Sequence, residues 1–166
     1  MSIHEILIML ENSAIATAIN GDKPGTEWLF AIVETIHVFA LTVVFGSIAM
    51  VDLRLLGVTF RDSPVSRLSA EILPYTWTAW CMAALFGTLL FVSKAETYAD
   101  NWQFRAKFIC MALAAVNMAV FHFGAYRLVQ RWDTSEPPAA AKLAGALSLA
   151  FWAGVVVFGR WAGFTT

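Results

Sequence analysis

The sequence predicts an all-α fold: an integral membrane four-helix bundle preceded by an N-terminal amphipathic helix at the membrane interface. Three observations predict it. Hydrophobic residues make up 59% of the chain and charged residues only 14%, whereas a soluble domain carries about 25% charged residues. Four apolar stretches are each long enough to cross the hydrocarbon core, which takes roughly 20 helical residues. Polar stretches rich in turn residues separate them.

Residues 2–19, which precede the four apolar stretches, are predicted to form one amphipathic helix. Apolar residues recur at helical spacing, and Glu5 and Glu11 lie toward the other side. The segment is too polar to span a bilayer, so we expect it to lie flat at the interface. Breaker residues at 20–25 end it. The chain therefore divides into an interfacial helix and turn, 1–25, and a four-transmembrane-helix bundle, 26–166.

Four membrane spans are predicted after this boundary, with Pro74 in the first turn of the second span. They cover residues 28–51, 74–92, 108–126 and 143–161. An even number of spans places both termini on one face of the membrane, here named side A, and the opposite face is side B. Basic residues divide almost equally between the two sides. The positive-inside rule then favours, by a small margin, a multi-pass protein of the bacterial inner (cytoplasmic) membrane with periplasmic termini.

Ionisable residues inside apolar spans are costly and point to a site. Glu34 and His37 lie three residues apart on one face of the first span, and His122 lies in the third. Counted along parallel helices, His37 is about 14 Å from side A and His122 about 22 Å. This offset of roughly 8 Å favours two sites, one nearer each leaflet, over one shared site.

Haem b suits such sites. It needs an imidazole for the iron, an apolar aromatic slot for the macrocycle and cations for two propionates. Thirteen Phe and seven Trp residues supply aromatic surface. We therefore predict two haems, with His37 and His122 as ligands and His4 as a candidate second ligand to His37. The polar residues predicted to serve the cofactors are Glu34, Lys94, Lys107 and Arg160 near side A, and Arg54 and Arg127 near side B.

The function predicted on this basis is that of a membrane b-type cytochrome. It would move electrons across or within the bilayer, to or from a quinone or a small oxidant. No catalytic residue is assigned. A net charge of −1 gives no indication of a nucleic-acid partner. The two cysteines form no CxxCH motif, so neither a c-type haem nor a structural disulfide is expected.

Two other interpretations stay open. The first is a copper-handling or transport protein, with a soft metal site built from Met50, Cys81, Met82, Met118 and His122. The second is a non-catalytic membrane subunit that assembles with itself or with a partner. A membrane histidine also serves structure by hydrogen-bonding a neighbouring helix. Glu34 and Arg160 are equally suited to a structural ion pair, since a guanidinium near the end of an apolar helix needs an anionic partner.

Small residues on the third and fourth spans predict close helix packing. They exceed what four helices need for their own contacts. We therefore expect a homo-oligomer in the lipid bilayer, with Ala115, Ala119 or Gly154 at the contacts between copies.

Four stretches of the chain resemble an uncharacterised family of small bacterial four-helix membrane proteins. They are ETIHVFALTVVFGSIAMVDLRLLG (34–57), GTLLF (87–91), FRAKF (104–108) and FWAGVVVFGRW (151–161). The resemblance covers most of residues 28–163 and implies the four-helix architecture. A looser similarity to copper-resistance D membrane domains and to four-helix b-type cytochromes implies haem or copper at the helix histidines. This chain departs from those cytochromes, which pair histidines at matching depth.

Overall fold

The computed structural model describes residues 2–165, and every regular element in that range is helical, which confirms the all-α prediction. The elements follow in chain order, with a short 3₁₀ helix before the last one. They are α1 (Ile3–Glu11), α2 (Ala14–Ile19), α3 (Leu29–Leu55), α4 (Val65–Ser93), α5 (Ala95–Asp100), α6 (Trp102–Phe123), the 3₁₀ helix (Ala125–Arg131) and α7 (Ala139–Phe164).

Within residues 2–165, the four helices α3, α4, α6 and α7 are long and apolar enough to cross a membrane. A bilayer offers no water to satisfy backbone groups, so helices of this length and composition are suited to span it. The chain is therefore a multi-pass membrane protein.

The second span starts earlier than predicted. Helix α4 begins at Val65, just after Pro64, and continues through Pro74, so the predicted polar loop at 59–73 is wrong from residue 65 onward and correct only for 59–64. Proline removes one backbone donor from a helix interior. The helix nevertheless continues through Pro74 to Ser93.

Helix α3 lies at the centre of the bundle. It packs against α4 on one side and α7 on the other, and α6 packs against α7. In the described part of the chain, α4 and α6 make no extensive contact with each other. The four helices therefore form a bent row in the order α4, α3, α7, α6. A gap remains between its two ends.

The N-terminal segment forms two helices, so the prediction of one continuous helix over 2–19 is wrong. Asn12 ends α1 and its Nδ2 donates to the carbonyl of Ile8 at 2.8 Å. The hydroxyl of Ser13 then caps α2 by accepting from the amide of Ala16. Short polar side chains at both positions satisfy backbone groups that a continuous helix would have paired internally.

Helix α2 is docked against α4 and α1 mainly against α5. Ala16 and Ile19 are buried there, and Asn20 Nδ2 donates to the carbonyl of Ser93 at 2.9 Å. The outward-facing apolar residues of α1 include Ile3 and Met9, which are exposed. Exposed apolar side chains on a short surface helix are the arrangement expected of an interfacial helix.

Candidate functional site

A cavity of about 440 Å³ lies in the gap between α4 and α6, in the half of the bundle nearer side A. All four long helices line it. The lining residues are His37 and Leu41 of α3; Trp80, Ala83, Ala84, Gly87, Thr88 and Phe91 of α4; Phe104, Lys107, Phe108 and Met111 of α6; and Trp152 and Val155 of α7. Apart from His37, Thr88 and Lys107, these walls are apolar, and five of the lining residues are aromatic. Such a lining fits a flat lipophilic group with few polar atoms.

His37 is held in one orientation. Its Nδ1 lies 2.8 Å from the backbone carbonyl oxygen of Ala83. A carbonyl oxygen only accepts hydrogen bonds, so Nδ1 carries the proton and donates it. In the neutral imidazole, Nε2 then keeps its lone pair free. Histidines that bind metals characteristically donate their other ring nitrogen to a carbonyl or carboxylate in this way.

Gly87 makes room for the His37 ring. A Cβ atom at this position would lie 2.7 Å from Cε1 and 3.2 Å from Nδ1 of the imidazole. Real Cβ atoms do not approach other atoms so closely, so the ring lies against α4 because residue 87 has no side chain. Glycine inside a helix costs about 1 kcal/mol relative to alanine, and the histidine is the packing reason for it here.

Lys107 contributes the cation of this cavity. Its side chain passes over Gly159 of α7, where a Cβ atom would lie 3.3 Å from Cδ and 3.5 Å from Nζ. Lys107 and His37 line the same cavity. A compact cation among apolar walls favours a ligand that brings an oxygen acceptor or an anionic group.

The structure separates Glu34 and Arg160 from His37. Arg160 Nη1 lies 3.7 Å from Glu34 Oε1, which is the predicted ion pair. Both residues line a second, shallower cleft of about 280 Å³ together with Thr35, Val38 and Phe39. Residues three apart on a helix point in directions about 60° apart. His37 therefore turns toward α4, while Glu34 turns toward α7.

The other residues predicted near side A lie outside the cavity. Lys94 is half-buried at the end of α4 and does not line it. His4 is on α1, where its Nδ1 lies 3.5 Å from Glu96 Oε1 at the surface. The docked position of α1 thus places His4 beside α5, and it does not share the cavity with His37.

Near side B, Arg54 is almost completely buried, with 1% of its surface exposed. Its Nε donates to the carbonyl of Ser63 at 2.8 Å, and its Nη2 donates to the carbonyl of Asp133 at 3.1 Å. The guanidinium therefore joins the connection after α3 to the connection before α7. Both bonds serve backbone groups of the chain itself.

Arg127 and His122 are exposed, and neither lines either of the two cavities described above. The His122 ring stacks on Tyr126, with centroids 4.8 Å apart. Arg54, Arg127 and His122 therefore lie apart from both of these cavities. A haem at His122 stays a prediction.

The soft residues predicted for copper are spread over three helices. Met50, Cys81, Met82 and Met118 are all exposed at the bundle surface. Within the described residues, no three His, Cys, Asp or Glu side chains are grouped to hold a metal ion. A metal at His37 would therefore need most of its ligands from elsewhere, as a haem iron does from the porphyrin.

Gly154, which was predicted to lie at contacts between copies, is used for packing within the chain. A Cβ atom at Gly154 would lie 2.9 Å from Cys110 Sγ, so this glycine serves the packing of α6 on α7. Ala115 is exposed and Ala119 half-buried. A homo-oligomer through α6 stays a prediction.

Comparison with known proteins gives the chain its family. Residues 21–165 match a family described as a family of unknown function, DUF6644. No curated protein and no solved structure matches the chain. The looser similarity to copper-resistance D domains and b-type cytochromes therefore has no support. The match spans nearly the whole chain, including the helices that form the cavity, and the protein belongs to the DUF6644 family.

Proposed function

We propose that the cavity between α4 and α6 binds haem b, that Nε2 of His37 would hold the iron, and that the protein transfers electrons in the membrane. The orientation of His37 carries this proposal. Its Nδ1 is engaged by the carbonyl of Ala83, and its free Nε2 belongs to a ring that lines an apolar cavity. Hydrogen bonding at Nδ1 also makes Nε2 a more basic ligand.

The walls and the charge of the cavity support the same group. Aromatic side chains from three helices suit a planar macrocycle, and the volume falls within the range of about 300–1,000 Å³ typical of cofactor sites. Lys107 offers its ammonium group to a propionate. When bound, the haem would supply one-electron chemistry. The chain would hold its ring, exclude water from most of its surface and neutralise part of its charge.

The proposal concerns one haem within one chain, at His37. Since α4 and α6 do not close over the cavity, a lipid-soluble redox partner such as a quinone would reach the cavity from the bilayer. No second protein ligand is assigned, because His4 and His122 both lie elsewhere.

The test is the visible spectrum of the detergent-purified protein, recorded with and without reductant after expression with ample haem supply. We expect a haem b spectrum that changes on reduction. His37→Ala should remove this spectrum. His122→Ala, which replaces an exposed histidine of the same bundle, should leave the spectrum intact. A folded wild-type protein without haem, or a folded His37→Ala variant with a full haem spectrum, would contradict the proposal.

The open side of the cavity favours a second candidate, a quinone bound directly without iron. His37 Nε2 would accept from a quinol hydroxyl, and Lys107 would donate to a quinone oxygen. Organic extraction of the purified protein separates the candidates. A stoichiometric quinone without iron supports the second, and iron porphyrin supports the first.

A further inference from the structure

The cleft formed by Glu34 and Arg160 is separate from the cavity at His37 and has chemistry of its own. Glu34 lies five residues after the start of α3, and Arg160 four residues before the end of α7. At about 1.5 Å per residue, both are roughly 6–8 Å from the helix ends on side A. The two helices have 27 and 26 residues, so each is about 40 Å long and extends about 5 Å beyond each face of a hydrocarbon core about 30 Å thick. A helix centred in the bilayer would therefore place these charges close to the level at which polar lipid groups meet the core.

The two charges are held loosely. Their closest atoms are 3.7 Å apart, whereas charge-assisted hydrogen bonds between such groups measure about 2.7–2.9 Å. Both side chains remain accessible, with 64% of Arg160 and 44% of Glu34 exposed. Arg160 Cζ also lies 4.6 Å from the ring centroid of Phe164, within the range of a cation–π contact. Each charge therefore keeps the capacity to bind another group.

An apolar surface continues from this pair along α3. Val38 and Phe39, one turn further from side A, line the same cleft and are exposed by 48% and 70%. A groove with a cation and an anion at its outer end and apolar side chains below them matches the order of groups along a phospholipid.

We propose that this cleft binds a phospholipid whose headgroup carries a primary amine. The phosphate would accept hydrogen bonds from Arg160, the ammonium group would donate to Glu34, and an acyl chain would lie along Val38 and Phe39. Charge complementarity selects this lipid class. An anionic glycerol headgroup leaves Glu34 facing a phosphate without a balancing cation, and a choline headgroup has no N–H to donate to the carboxylate.

The proposal is independent of any cofactor at His37, because no residue is shared between the two linings. It also gives the Glu34–Arg160 pair a role that a purely structural ion pair does not have. A structural pair stabilises the bundle equally in every lipid, whereas a binding site ranks lipids by their headgroups.

The experiment measures lipid binding by native mass spectrometry on the detergent-purified protein. Phosphatidylethanolamine, phosphatidylcholine and phosphatidylglycerol with identical acyl chains are the probes. We expect the ethanolamine lipid to bind most tightly. Glu34→Gln should reduce its preference over the choline lipid by about tenfold, the value of one charge-assisted hydrogen bond. Arg160→Gln should weaken all three lipids, because each presents a phosphate.

Arg67 and Glu71 provide the matched control, since they form an exposed ion pair on α4 at 2.8 Å. Arg67→Gln and Glu71→Gln should leave the lipid ranking unchanged. If Arg160→Gln fails to fold, Arg160→Lys keeps a cation and should retain a weaker preference for the ethanolamine lipid. Equal binding of the three lipids to the wild-type protein, or an unchanged ranking in Glu34→Gln, would overturn the proposal.

Discussion

The lack of a side chain at Gly87 decides where the His37 ring lies. The imidazole rests against the backbone of α4, with Nδ1 donating to Ala83, because residue 87 leaves the space open. A bulkier residue there would force the ring toward α6 and break that hydrogen bond. The candidate ligand and its glycine are 50 positions apart in the sequence and act as one unit.

Replacing Gly87 with alanine tests this unit. The new Cβ would lie 2.7 Å from Cε1 of His37, and overpacking of this kind costs about 1–3 kcal/mol. We expect a loss of haem absorbance together with a lower melting temperature, measured by visible spectroscopy and thermal unfolding in detergent.

Gly46→Ala is the control for this prediction. Gly46 lies in α3 with no atom within 4 Å of its added Cβ, so alanine should leave the spectrum intact and add up to about 1 kcal/mol of stability. An identical response of the two variants would show that Gly87 does not position His37.

At the scale of the elements, Arg54 fixes how the bundle is closed on side B. It reaches the carbonyls of Ser63 and Asp133, and Asp133 Oδ1 in turn accepts from the amide of Ser66 at 2.8 Å. The end of α3, the start of α4 and the segment before α7 are thereby joined at one point. Beside it, Leu55, Val65, Trp132 and Ala141 form a buried apolar cluster.

Arg54→Leu should therefore destabilise the whole bundle. It removes two charge-assisted hydrogen bonds, each contributing about 1.5–3 kcal/mol, and leaves two carbonyls without their donors. We expect a loss of about 3 kcal/mol or more in the free energy of unfolding, measured by chemical denaturation in detergent. Arg54→Lys should not restore it, since an ammonium group cannot reach both carbonyls in the same fork geometry.

The exposed Arg67 serves as a comparison, because its ion pair with Glu71 lies at the surface. Arg67→Leu should change stability little. If Arg54→Leu were equally mild, the guanidinium would not hold these connections together.

At the scale of the whole molecule, four spanning helices require both ends of the chain to lie on the same side of the membrane. We expect topology reporters fused to either end to report one compartment, and a reporter in the connection at 57–64 to report the other. The compartment that the terminal reporters indicate will also show whether the termini are periplasmic, as the distribution of basic residues predicts. Reporters on opposite sides at the two ends would contradict four spans.

The number and positions of the spans could be predicted from the sequence, because each span depends on the summed hydrophobicity of consecutive residues. About 20 consecutive apolar residues satisfy the hydrocarbon core whatever surrounds them. The ends of the spans were predicted less accurately. Propensity places Pro74 at a helix start, yet α4 runs through it, since the packing of Val65 and Leu68 in the interior supports an extra two turns.

The grouping of polar side chains could be predicted only in part. His37 was identified by its ionisable ring in an apolar helix, and Lys107 by its place just before the third predicted span. Their shared cavity depends on the gap between α4 and α6, which no local pattern records. Equally, His37 and Glu34 were predicted to share one helical face but line different cavities.

The sequence by itself determined a multi-pass helical membrane protein with a histidine and a glutamate inside its first span. These features follow from composition and from helical periodicity, which act over a few turns. Only the tertiary structure decided that Arg54 donates to backbone carbonyls, that His122 is exposed, and that the His37 ring packs against Gly87. Those outcomes depend on how each helix is rotated about its axis, and packing between residues distant in the chain sets that rotation.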